Sequence, residues 1–400
     1  MLQEVRLKAM HKDQRGKPLA SEWQEIKESF EIVFSQYHLN AAIWSLADKK
    51  YAGTLTLIHK RIRMDDFEIL AYTPQSATTA LLKQHGLTRQ QVGLPKKEEA
   101  SSLDSKSPVV KTTKQTSVMN FFAAKKPSAS ATKQSATATT ATTCHGLSHH
   151  PEGRFQYIRF ANLDLIQTYV PNNGTKDESF QRRQDWDASM LDLFQSRQAV
   201  DKYLQEKDNN KNSEPRPLLW CGDMNCAFTY QDGTHWSQEP PVPDGSIYEW
   251  WTDEAKCFVG GNKKGNADAK HAENVGMPSF TPAERRRFGE LMTKSDFSDV
   301  WRRLHPNGVP DDGDDDDSKK TYASEWDRPN YTWRGHLSKN GGFGAKYQGK
   351  GQRLDYFLLS PSTLVSSVED CDILGYGTQR EGLFCGSDHC ATLLKLKKDF

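Results

Sequence analysis

One short stretch, Pro217–Phe228, constrains the fold of this chain more than any other. Its apolar run Leu218–Cys221 follows a proline directly, and such a run predicts a strand buried on both faces. Gly222 ends the run, and Asp223 and Asn225 come next. Because alternate residues of an extended chain point the same way, we expect the carboxylate and the amide to project from the strand's end into one cleft.

Two further stretches favour a cleft over an ordinary turn. On its own, Gly222–Asn225 is better explained as a turn. However, Arg353–Ser360 opens another apolar strand with the carboxylate of Asp355, and Gly386–His389 precedes a third apolar run. We therefore expect the three strand ends to share one site, where a carboxylate can transfer a proton and an amide can orient what reacts.

The composition limits the classes of protein that the chain can belong to. Its 400 residues fit two or three domains, or one large α/β domain with an insertion. A net charge of +1 argues against a uniformly basic DNA coat but leaves room for local basic patches. Seven cysteines without CxxC pairs indicate reduced thiols of an intracellular protein. No apolar run approaches the roughly 20 residues that span a bilayer, so no membrane association is expected.

Hydrophobic periodicity predicts the main helices and strands. Helices are predicted at 21–35, at 180–203 and from Pro282, where Thr281–Glu284 forms a capping box. On this third helix, Arg285–Arg287 are predicted to lie on the exposed side. Two strands are predicted within 155–170, and two more, at 53–57 and 67–72, are predicted to pair with each other as a hairpin.

A change of composition divides the chain. The stretch Ser128–Thr143 contains only Ser, Ala, Thr, Lys and Gln, which cannot bury enough apolar surface to offset the entropy of ordering. Strand-like sequence resumes at Arg154. We therefore predict one domain formed by 1–84 and 149–400, interrupted by a disordered, low-complexity insertion at 85–148.

One dense island lies within the insertion. Gln115, Val118, Phe121 and Phe122 follow one another at spacings of three, three and one, with lysines on both sides. The island resembles the PIP box, the peptide that binds the sliding clamp PCNA, and this resemblance implies PCNA as a partner. Valine is a less usual aliphatic residue there, which lowers the expected affinity. A chance cluster, or a patch that packs back on the domain, is the alternative, since short motifs recur by chance.

Ordered motifs indicate a family for the rest of the chain. The sequence resembles the exonuclease III family of apurinic/apyrimidinic (AP) endonucleases, within the endonuclease/exonuclease/phosphatase superfamily. The motifs that carry the resemblance, in the family's order, are Leu2–Arg6, Trp44–Gly53, Tyr169–Gly174, Arg183–Asp187, Gly222–Asn225, Phe280–Glu284, Arg353–Phe357 and Gly386–Cys390. It implies an α/β (α+β) fold of the DNase I-like type, a four-layer sandwich of two mixed β-sheets flanked by helices.

The resemblance also implies an activity. Members of the family hydrolyse the phosphodiester 5′ to an abasic site in duplex DNA, in base excision repair, with Mg²⁺ or alternatively Mn²⁺. A monomeric nuclear enzyme is expected, with room for 3′–5′ exonuclease or 3′-phosphodiesterase activity. One alternative is another phosphodiesterase or phosphatase of the superfamily, such as a phosphoinositide phosphatase or a deadenylase. The other is a catalytically impaired DNA-binding protein tethered to PCNA.

The family's roles carry over to matching positions. The residues implied for metal binding and catalysis are Glu4 and Asp388 for the metal, and Tyr169, Asp223, Asn225, Asp355 and His389 for catalysis. Asp223 would activate the water or protonate the leaving oxygen, while Asn225 orients the attack. His389 would bind the phosphate, with its tautomer held by Asp355.

The DNA-binding residues are implied in the same way. They are Asn172, Arg183, Phe280, Arg285, Gln352 and Leu354. Asn172 would contact the same phosphate as Tyr169, and the arginines would grip the DNA backbone. Phe280 and Leu354 match the wall of the pocket for the flipped abasic sugar. Gln352 stands where many members have tryptophan, so looser discrimination and more exonuclease-like activity are expected.

The family's first strand has no match in this sequence. That strand carries an Asn-x-Asn/Asp-Gly motif with one orienting asparagine and one metal-site carboxylate. We therefore expect a truncated or mis-started version of a longer protein, with weak Mg²⁺ binding.

Overall fold

The structure is a computed structural model. It describes residues 1–3, 35–43, 45–46, 49–50, 53–95, 147–149, 153–174, 176–207, 215–233, 272–274, 279–306, 331–333, 352–374 and 389–398. The chain divides into two compact units, Met1–Leu94 with His145–Phe400, and Pro95–Cys144. Every described helix and strand belongs to the first unit. The PIP-box-like island and most of the predicted helix at 21–35 lie outside the described residues.

Most described strands belong to two mixed sheets. In chain order the strands are β1 (Leu2–Gln3), β2 (Tyr37–Ile43), β3 (Ser45–Leu46), β4 (Lys49–Lys50), β5 (Thr54–His59), β6 (Phe67–Ala71), β7 (Leu147–His149), β8 (Phe155–Phe160), β9 (Asp164–Tyr169), β10 (Leu218–Asp223), β11 (Ser298–Asp299), β12 (Asp355–Ser360), β13 (Val368–Ile373) and β14 (Thr392–Leu396). One sheet has the order β11-β12-β10-β9-β8-β6, and the other has the order β1-β5-β2-β7. Two smaller pairs, β13 with β14 and β3 with β4, complete the described strands.

The α-helices with described bounds are α1 (Pro74–Gln84), α2 (Asp177–Lys207), α3 (Pro282–Lys294) and α4 (Val300–Leu304), and residues 35–36 are also helical. The predicted start of α3 is confirmed. Thr281 Oγ1 accepts a hydrogen bond from Glu284 N at 3.3 Å, and Glu284 Oε2 accepts one from Thr281 N at 3.1 Å. This reciprocal capping satisfies amides that the first helical turn leaves without partners.

The central strand β10 is buried on both faces, as predicted. Leu218 and Trp220 contact the core that α2 and α3 cover. Leu219 and Cys221, which point the other way, contact a second core that includes Ile58 of β5. The six-stranded sheet therefore packs against α2 and α3 on one face, and its other face contacts the second sheet and α4. This arrangement confirms the predicted class, two mixed sheets with flanking helices.

The predicted hairpin of β5 and β6 is wrong. Both strands exist, but β5 pairs with β1 and β2, whereas β6 pairs with β8 in the other sheet. The connection at 60–65 is exposed and carries the chain from one sheet to the other. Periodicity marks a strand and its buried face, but it does not identify the neighbour that completes the hydrogen-bond ladder.

The packed domain extends beyond its predicted boundary at residue 84. Leu87 and Val92 pack against a cluster formed by α1 and α2. Arg89 forms an ion pair with Asp192 of α2 at 2.6 Å. These contacts bury apolar side chains, and the first compact unit therefore extends ten residues beyond the predicted boundary, to Leu94.

Two further predictions concern the cysteine thiols and membrane association. The four cysteines of the described ranges, Cys221, Cys226, Cys371 and Cys390, are free and buried. Among the same residues, no helix combines the length and the apolar character needed to cross a membrane.

Candidate active site

Three neighbouring strands bring polar side chains to one edge of the six-stranded sheet. In register, Asp223 of β10 is the partner of Tyr169 in the parallel strand β9 and of Asp355 in the antiparallel strand β12. Partners in register project from the same face of a sheet. Cys221 precedes Asp223 on that face and contacts the core between the sheets. All three polar side chains therefore lie at the edge of the space between the two sheets.

The backbone around Asp223 adopts unusual conformations. Gly222 has a φ of 131° and Asn225 a φ of 45°, and only glycine and, less often, asparagine adopt such values readily. Asn225 therefore does not continue the strand, and the chain turns after Asp223. Its backbone N donates to Asp223 Oδ1 at 2.7 Å, and its Nδ2 donates to Oδ2 at 3.1 Å. The amide and the carboxylate are adjacent because the chain turns, not because it stays extended.

A junction of three polar side chains orients Asn225. We call Asn172, Asn225 and Ser279 the amide junction. Asn172 Nδ2 donates to Asn225 Oδ1 and to Ser279 Oγ, both at 3.1 Å, and Ser279 Oγ donates to Asn225 Oδ1 at 3.2 Å. Asn225 Nδ2 also donates to the carbonyl of Val170 at 2.8 Å. Each end of the Asn225 amide thus has defined partners, which fixes its orientation.

A carboxylate–histidine pair lies beside this junction. His389 Nδ1 is 2.8 Å from Asp355 Oδ2, across 34 residues of sequence. The histidine side chain is 26% exposed and the aspartate side chain 13%. An ionised carboxylate can only accept a hydrogen bond, so Nδ1 donates and the pair defines which ring nitrogen carries the proton. The structure thus brings together Asp223, Asn225, Asp355 and His389, which the sequence predicted for one site.

Arg183 does not lie where a DNA backbone could contact it. Its side chain is 1% exposed and pairs with Asp187 at 2.9 Å. Nη1 donates to the carbonyls of Pro171 at 3.0 Å and Asn225 at 3.1 Å. Burial disfavours its charge, but Asp187 and Glu284 raise the pKa of Arg183 above its usual value. The predicted DNA contact is therefore corrected to a positioning role, since the guanidinium ties together the two loops of the amide junction.

The predicted exposed face of α3 is also wrong. Arg285 is fully buried, with Nε donating to the carbonyl of Phe228 at 3.2 Å and its guanidinium 4.5 Å from the centre of the Phe280 ring. Arg287 is largely buried against Asp187, whereas the Arg286 side chain is 41% exposed and pairs with Glu273. A helix turns once every 3.6 residues, so three consecutive arginines cannot share one face. Arg285 therefore supports the site from inside the protein.

An apolar cluster adjoins the catalytic candidates. Ala227, Phe280 and Leu354 form a buried apolar cluster, and Trp333 packs against it. Gln352 forms isolated β-bridges with Trp333 and with Gly233, and it is 1% exposed. Its side-chain nitrogen makes no hydrogen bond with any other residue that the structure describes. A buried amide without a partner is costly in apolar surroundings.

Sequence reasoning missed three residues of this region. Arg154 is 2% exposed, donates to the carbonyl of Tyr169 at 3.0 Å and places its guanidinium 4.5 Å from the centre of the Tyr169 ring. Ser279 belongs to the amide junction, and Thr332 contacts the strand that begins with Asp355. No local pattern marks these residues, because their contacts depend on the folded chain.

The predicted metal ligands Glu4 and Asp388 lie outside the described residues, as do Gln115, Val118, Phe121 and Phe122. Within the described ranges, no group of three His, Cys, Asp or Glu residues could hold a metal ion. The donor chemistry nevertheless suits Mg²⁺. Asp223 and Asp355 are neighbours in register and offer hard carboxylate oxygens. Asp388 also immediately precedes His389 in the chain.

The fold and the site define a class of protein. Two mixed sheets with flanking helices and a polar site at one edge between the sheets are DNase I-like. Comparison with known proteins then indicates the family. The chain is 32% identical over 252 residues to a DNA-(apurinic or apyrimidinic site) endonuclease of Arabidopsis thaliana, covering 62% of this chain and 52% of the relative. A protein of the same name from Plasmodium berghei is 29% identical over 252 residues, covering 62% and 37%.

Over about three-fifths of its length the chain is thus similar to proteins named as AP endonucleases, the family that the motifs resemble. The chain spans about half the length of the Arabidopsis relative and about a third of the Plasmodium one. No family model matches it. Among solved structures, AP endonuclease LMAP from Leishmania major is 22% identical with a TM-score of 0.36, covering 63% of this chain and 57% of that chain. A TM-score this low supports no conclusion, and the fold assignment rests on the sheets and helices themselves.

Proposed function

We propose that this chain is a DNA-repair nuclease that hydrolyses the phosphodiester 5′ to an abasic site in duplex DNA. The observation that carries the proposal is the register of β10 and β12, in which Asp223 faces Asp355. Asn225 is hydrogen-bonded to the first carboxylate and His389 to the second. A proton acceptor, an orienting amide and a histidine held in one tautomer therefore occupy one edge. The named activity of the curated relatives supports the same conclusion.

The chemistry follows from the contacts of these side chains. Asn225 donates to both carboxylate oxygens of Asp223, which holds the carboxylate in one orientation. That carboxylate accepts a proton from the attacking water or returns one to the leaving oxygen. Asp355 holds His389 by Nδ1, which leaves Nε2 to donate to a phosphoryl oxygen when the ring is protonated. Tyr169 borders the same edge and would contact the phosphate, and Asn172 would join it only by exchanging one of its hydrogen bonds to Asn225 or Ser279.

We propose Mg²⁺ as the cofactor, with Mn²⁺ as an alternative. Glu4 and Asp388 would hold the ion, because carboxylate oxygens are the ligands that it prefers. When bound, it neutralises charge on the phosphodiester and lowers the barrier to attack by an anionic oxygen. The residues described here bind the phosphate, orient the amide and move the proton beside it.

A second activity, 3′–5′ exonuclease or 3′-phosphodiesterase cleavage, is favoured by Gln352. An apolar pocket accepts a flipped abasic sugar because it offsets the cost of unstacking. A buried polar side chain next to Trp333 weakens that selectivity. The pocket is therefore expected to tolerate 3′ termini as well as internal abasic sites.

The proposed partners follow from the substrate and the insertion. Duplex DNA with an abasic site is the substrate, and PCNA is the protein partner through Gln115–Phe122. Binding to PCNA implies a nuclear location and brings a monomeric enzyme to replicating DNA. The support for this partner is the spacing of the motif.

A labelled duplex with one abasic site tests the proposal. With Mg²⁺, the full chain is expected to cut only the abasic strand, on the 5′ side, and EDTA should stop the reaction. An otherwise identical duplex without the lesion is the substrate control, and Asp223→Asn is the protein control. Tight binding without cleavage would instead support an impaired DNA-binding protein. Release of phosphate from phosphoinositides would support another branch of the superfamily.

A further inference from the structure

A single buried threonine contacts the backbone of Asp355 and that of Cys390, the residue that follows His389. Thr332 is fully buried, and its Oγ1 accepts hydrogen bonds from the backbone N of Leu354 at 2.9 Å and of Asp355 at 3.1 Å. Asp355 is the first residue of β12. The hydroxyl therefore fixes the backbone from which the Asp355 carboxylate projects.

The backbone of the same threonine holds the histidine segment. The Thr332 carbonyl accepts from Cys390 N at 2.6 Å, and Trp333 forms a β-bridge with His389. On its other side, Thr332 N donates to the carbonyl of Gln352 at 3.1 Å. The segments that carry Asp355 and His389 are 34 residues apart in the chain. Thr332 and its neighbour Trp333 thus span the gap between them.

We propose that Thr332 is a positioning residue that sets the distance and orientation of the Asp355–His389 pair; its part in catalysis rests on the proposed function. An aspartate side chain has few rotatable bonds, so its carboxylate follows the position of its backbone. Two adjacent backbone N–H groups at the start of β12 find their acceptor in one hydroxyl. Removal of that acceptor leaves buried donors unsatisfied, and the strand end shifts to find new partners.

Two substitutions separate the hydroxyl from the volume of the side chain. Thr332→Ser keeps Oγ, whereas Thr332→Val keeps the shape and removes the acceptor. The matched control is Thr78→Val in α1, which removes a buried hydroxyl that donates to the carbonyl of Pro74 at 3.1 Å, away from the site. Should Thr332→Val fail to fold, as judged by melting, Thr332→Ala replaces it with Thr78→Ala as the control, because both variants then lose the hydroxyl and the same methyl group.

The first measurement is the tautomer of His389 in the full chain. Long-range proton–nitrogen correlation of histidine-labelled protein, recorded at about pH 8, reports which ring nitrogen carries the proton when the imidazole is neutral. The signal of His389 is identified by its loss in His389→Asn. The parent, Thr332→Ser and Thr78→Val are expected to have the proton on Nδ1. Thr332→Val is expected to show the Nε2–H form in substantial amount. An unchanged Nδ1–H signal in Thr332→Val overturns the proposal.

The second measurement is cleavage of the abasic duplex. Thr332→Val should lower kcat by about tenfold or more while KM changes by less than about twofold, because the pair acts on the transition state more than on docking. Thr332→Ser should recover most of kcat, and Thr78→Val should keep it. Equal loss in Thr332→Val and Thr78→Val would contradict the proposal. If the parent protein cuts no abasic DNA, the proposed function fails, and the tautomer measurement still decides whether Thr332 positions the pair.

Discussion

Asn225 and Ser279 both have left-handed backbone conformations, with φ of 45° and 70°, and their side chains hydrogen-bond each other at 3.2 Å. A non-glycine residue in this region costs about 1–2 kcal/mol relative to its preferred conformation. Glycine would adopt this backbone conformation at lower cost than serine. The serine therefore contributes through its hydroxyl, which donates to Asn225. Strained residues cluster at functional sites because surrounding contacts hold them in place.

Two substitutions at Ser279 separate backbone strain from the hydrogen bond. Ser279→Gly and Ser279→Ala both remove the hydroxyl, but only glycine relaxes the backbone. Ser279→Gly is therefore expected to be more stable than Ser279→Ala by about 1 kcal/mol in urea unfolding. Cleavage of abasic DNA should fall to a similar extent in both, by roughly tenfold, because Asn225 loses an orienting donor. A Ser279→Gly variant with the parental kcat would show that the hydroxyl does not position Asn225.

Loss of the Asp223 carboxylate or of the His389 imidazole should lower the rate of cleavage more than the affinity for DNA. Asp223→Asn keeps the shape of the side chain and His389→Asn keeps a hydrogen-bond donor near the position of Nδ1, and each is expected to lower single-turnover cleavage by about 10²-fold or more. The affinity for an abasic duplex, measured by fluorescence anisotropy without metal, should stay within about threefold of the parent. Cleavage near the parental rate in either variant would show that the residue has been assigned a wrong role.

Arg182 and Arg183 are neighbours in sequence with opposite environments. Arg182 is exposed, whereas Arg183 is buried and paired with Asp187. Arg182→Ala is expected to weaken DNA binding uniformly and to reduce the salt dependence of log Kd by about one, without loss of stability. Arg183→Met should instead destabilise the fold by about 3–5 kcal/mol, because Glu284 and Asp187 lose a buried counter-charge and Arg287 still pairs only with Asp187. A stable Arg183→Met variant with weak DNA binding would restore the original prediction that Arg183 contacts DNA.

The sequence predicted the features that depend on residues close together in the chain, and it did not predict those that depend on contacts between distant segments. The buried strand β10 and the capped start of α3 follow from nearest neighbours, and both predictions are confirmed. The pairing of β5 and β6 was wrong because several partners satisfy the same periodicity.

The site itself shows the same limit. Asp223 and Asp355 could be selected because each stands at the end of an apolar run. Ser279 and Thr332 could not, since their hydroxyls act on residues 54 and 23 positions away in the chain. The three arginines of α3 formed a conspicuous basic cluster, yet the helical turn distributes them between core and surface.

The island in the insertion is expected to bind PCNA independently of the nuclease domain. A peptide covering Lys111–Pro127 should bind, and Phe121→Ala with Phe122→Ala should eliminate binding, since buried aromatic anchors dominate such interfaces. In the full chain, Val109→Ala with Val110→Ala removes a neighbouring apolar pair outside that peptide and serves as the control, with PCNA binding expected to be retained. Cleavage of abasic DNA by the full chain should be unchanged in both double variants. Undiminished PCNA binding after loss of both phenylalanines would rule out the PIP-box interpretation.

Asp164 begins β9, at the other end of the strand from Tyr169, and forms buried ion pairs that stabilise the domain and are lost in acid. It is fully buried and pairs with Arg159 at 2.9 Å and with Arg216 at 2.8 Å, and Tyr157 donates to it at 2.6 Å. Burial alone would raise its pKa, but the hydrogen bond from Arg159 and the charge of Arg197 lower the pKa of Asp164 to about 2. The group therefore stabilises the folded state fully above its ordinary pKa of 3.8. That stability is lost as the pH falls toward 2.

The pH dependence of unfolding tests this support directly. Asp164→Asn is expected to be less stable than the parent at pH 7 by about 3–5 kcal/mol, because three guanidinium groups lose a buried counter-charge. The difference between the two proteins should shrink by about 2 kcal/mol as the pH is lowered from about 4 to about 2. The pKa of Asp232 is also lowered, because the charges of Arg353 and Arg302 outweigh the effect of burial. Asp232 contributes equally in both proteins, so its contribution cancels in the difference between them. If the stability difference between the two proteins stays constant across this range, the arginines do not lower the pKa of Asp164. Because Asp164 lies at the far end of β9 from the site, kcat at neutral pH and low temperature should match that of the parent.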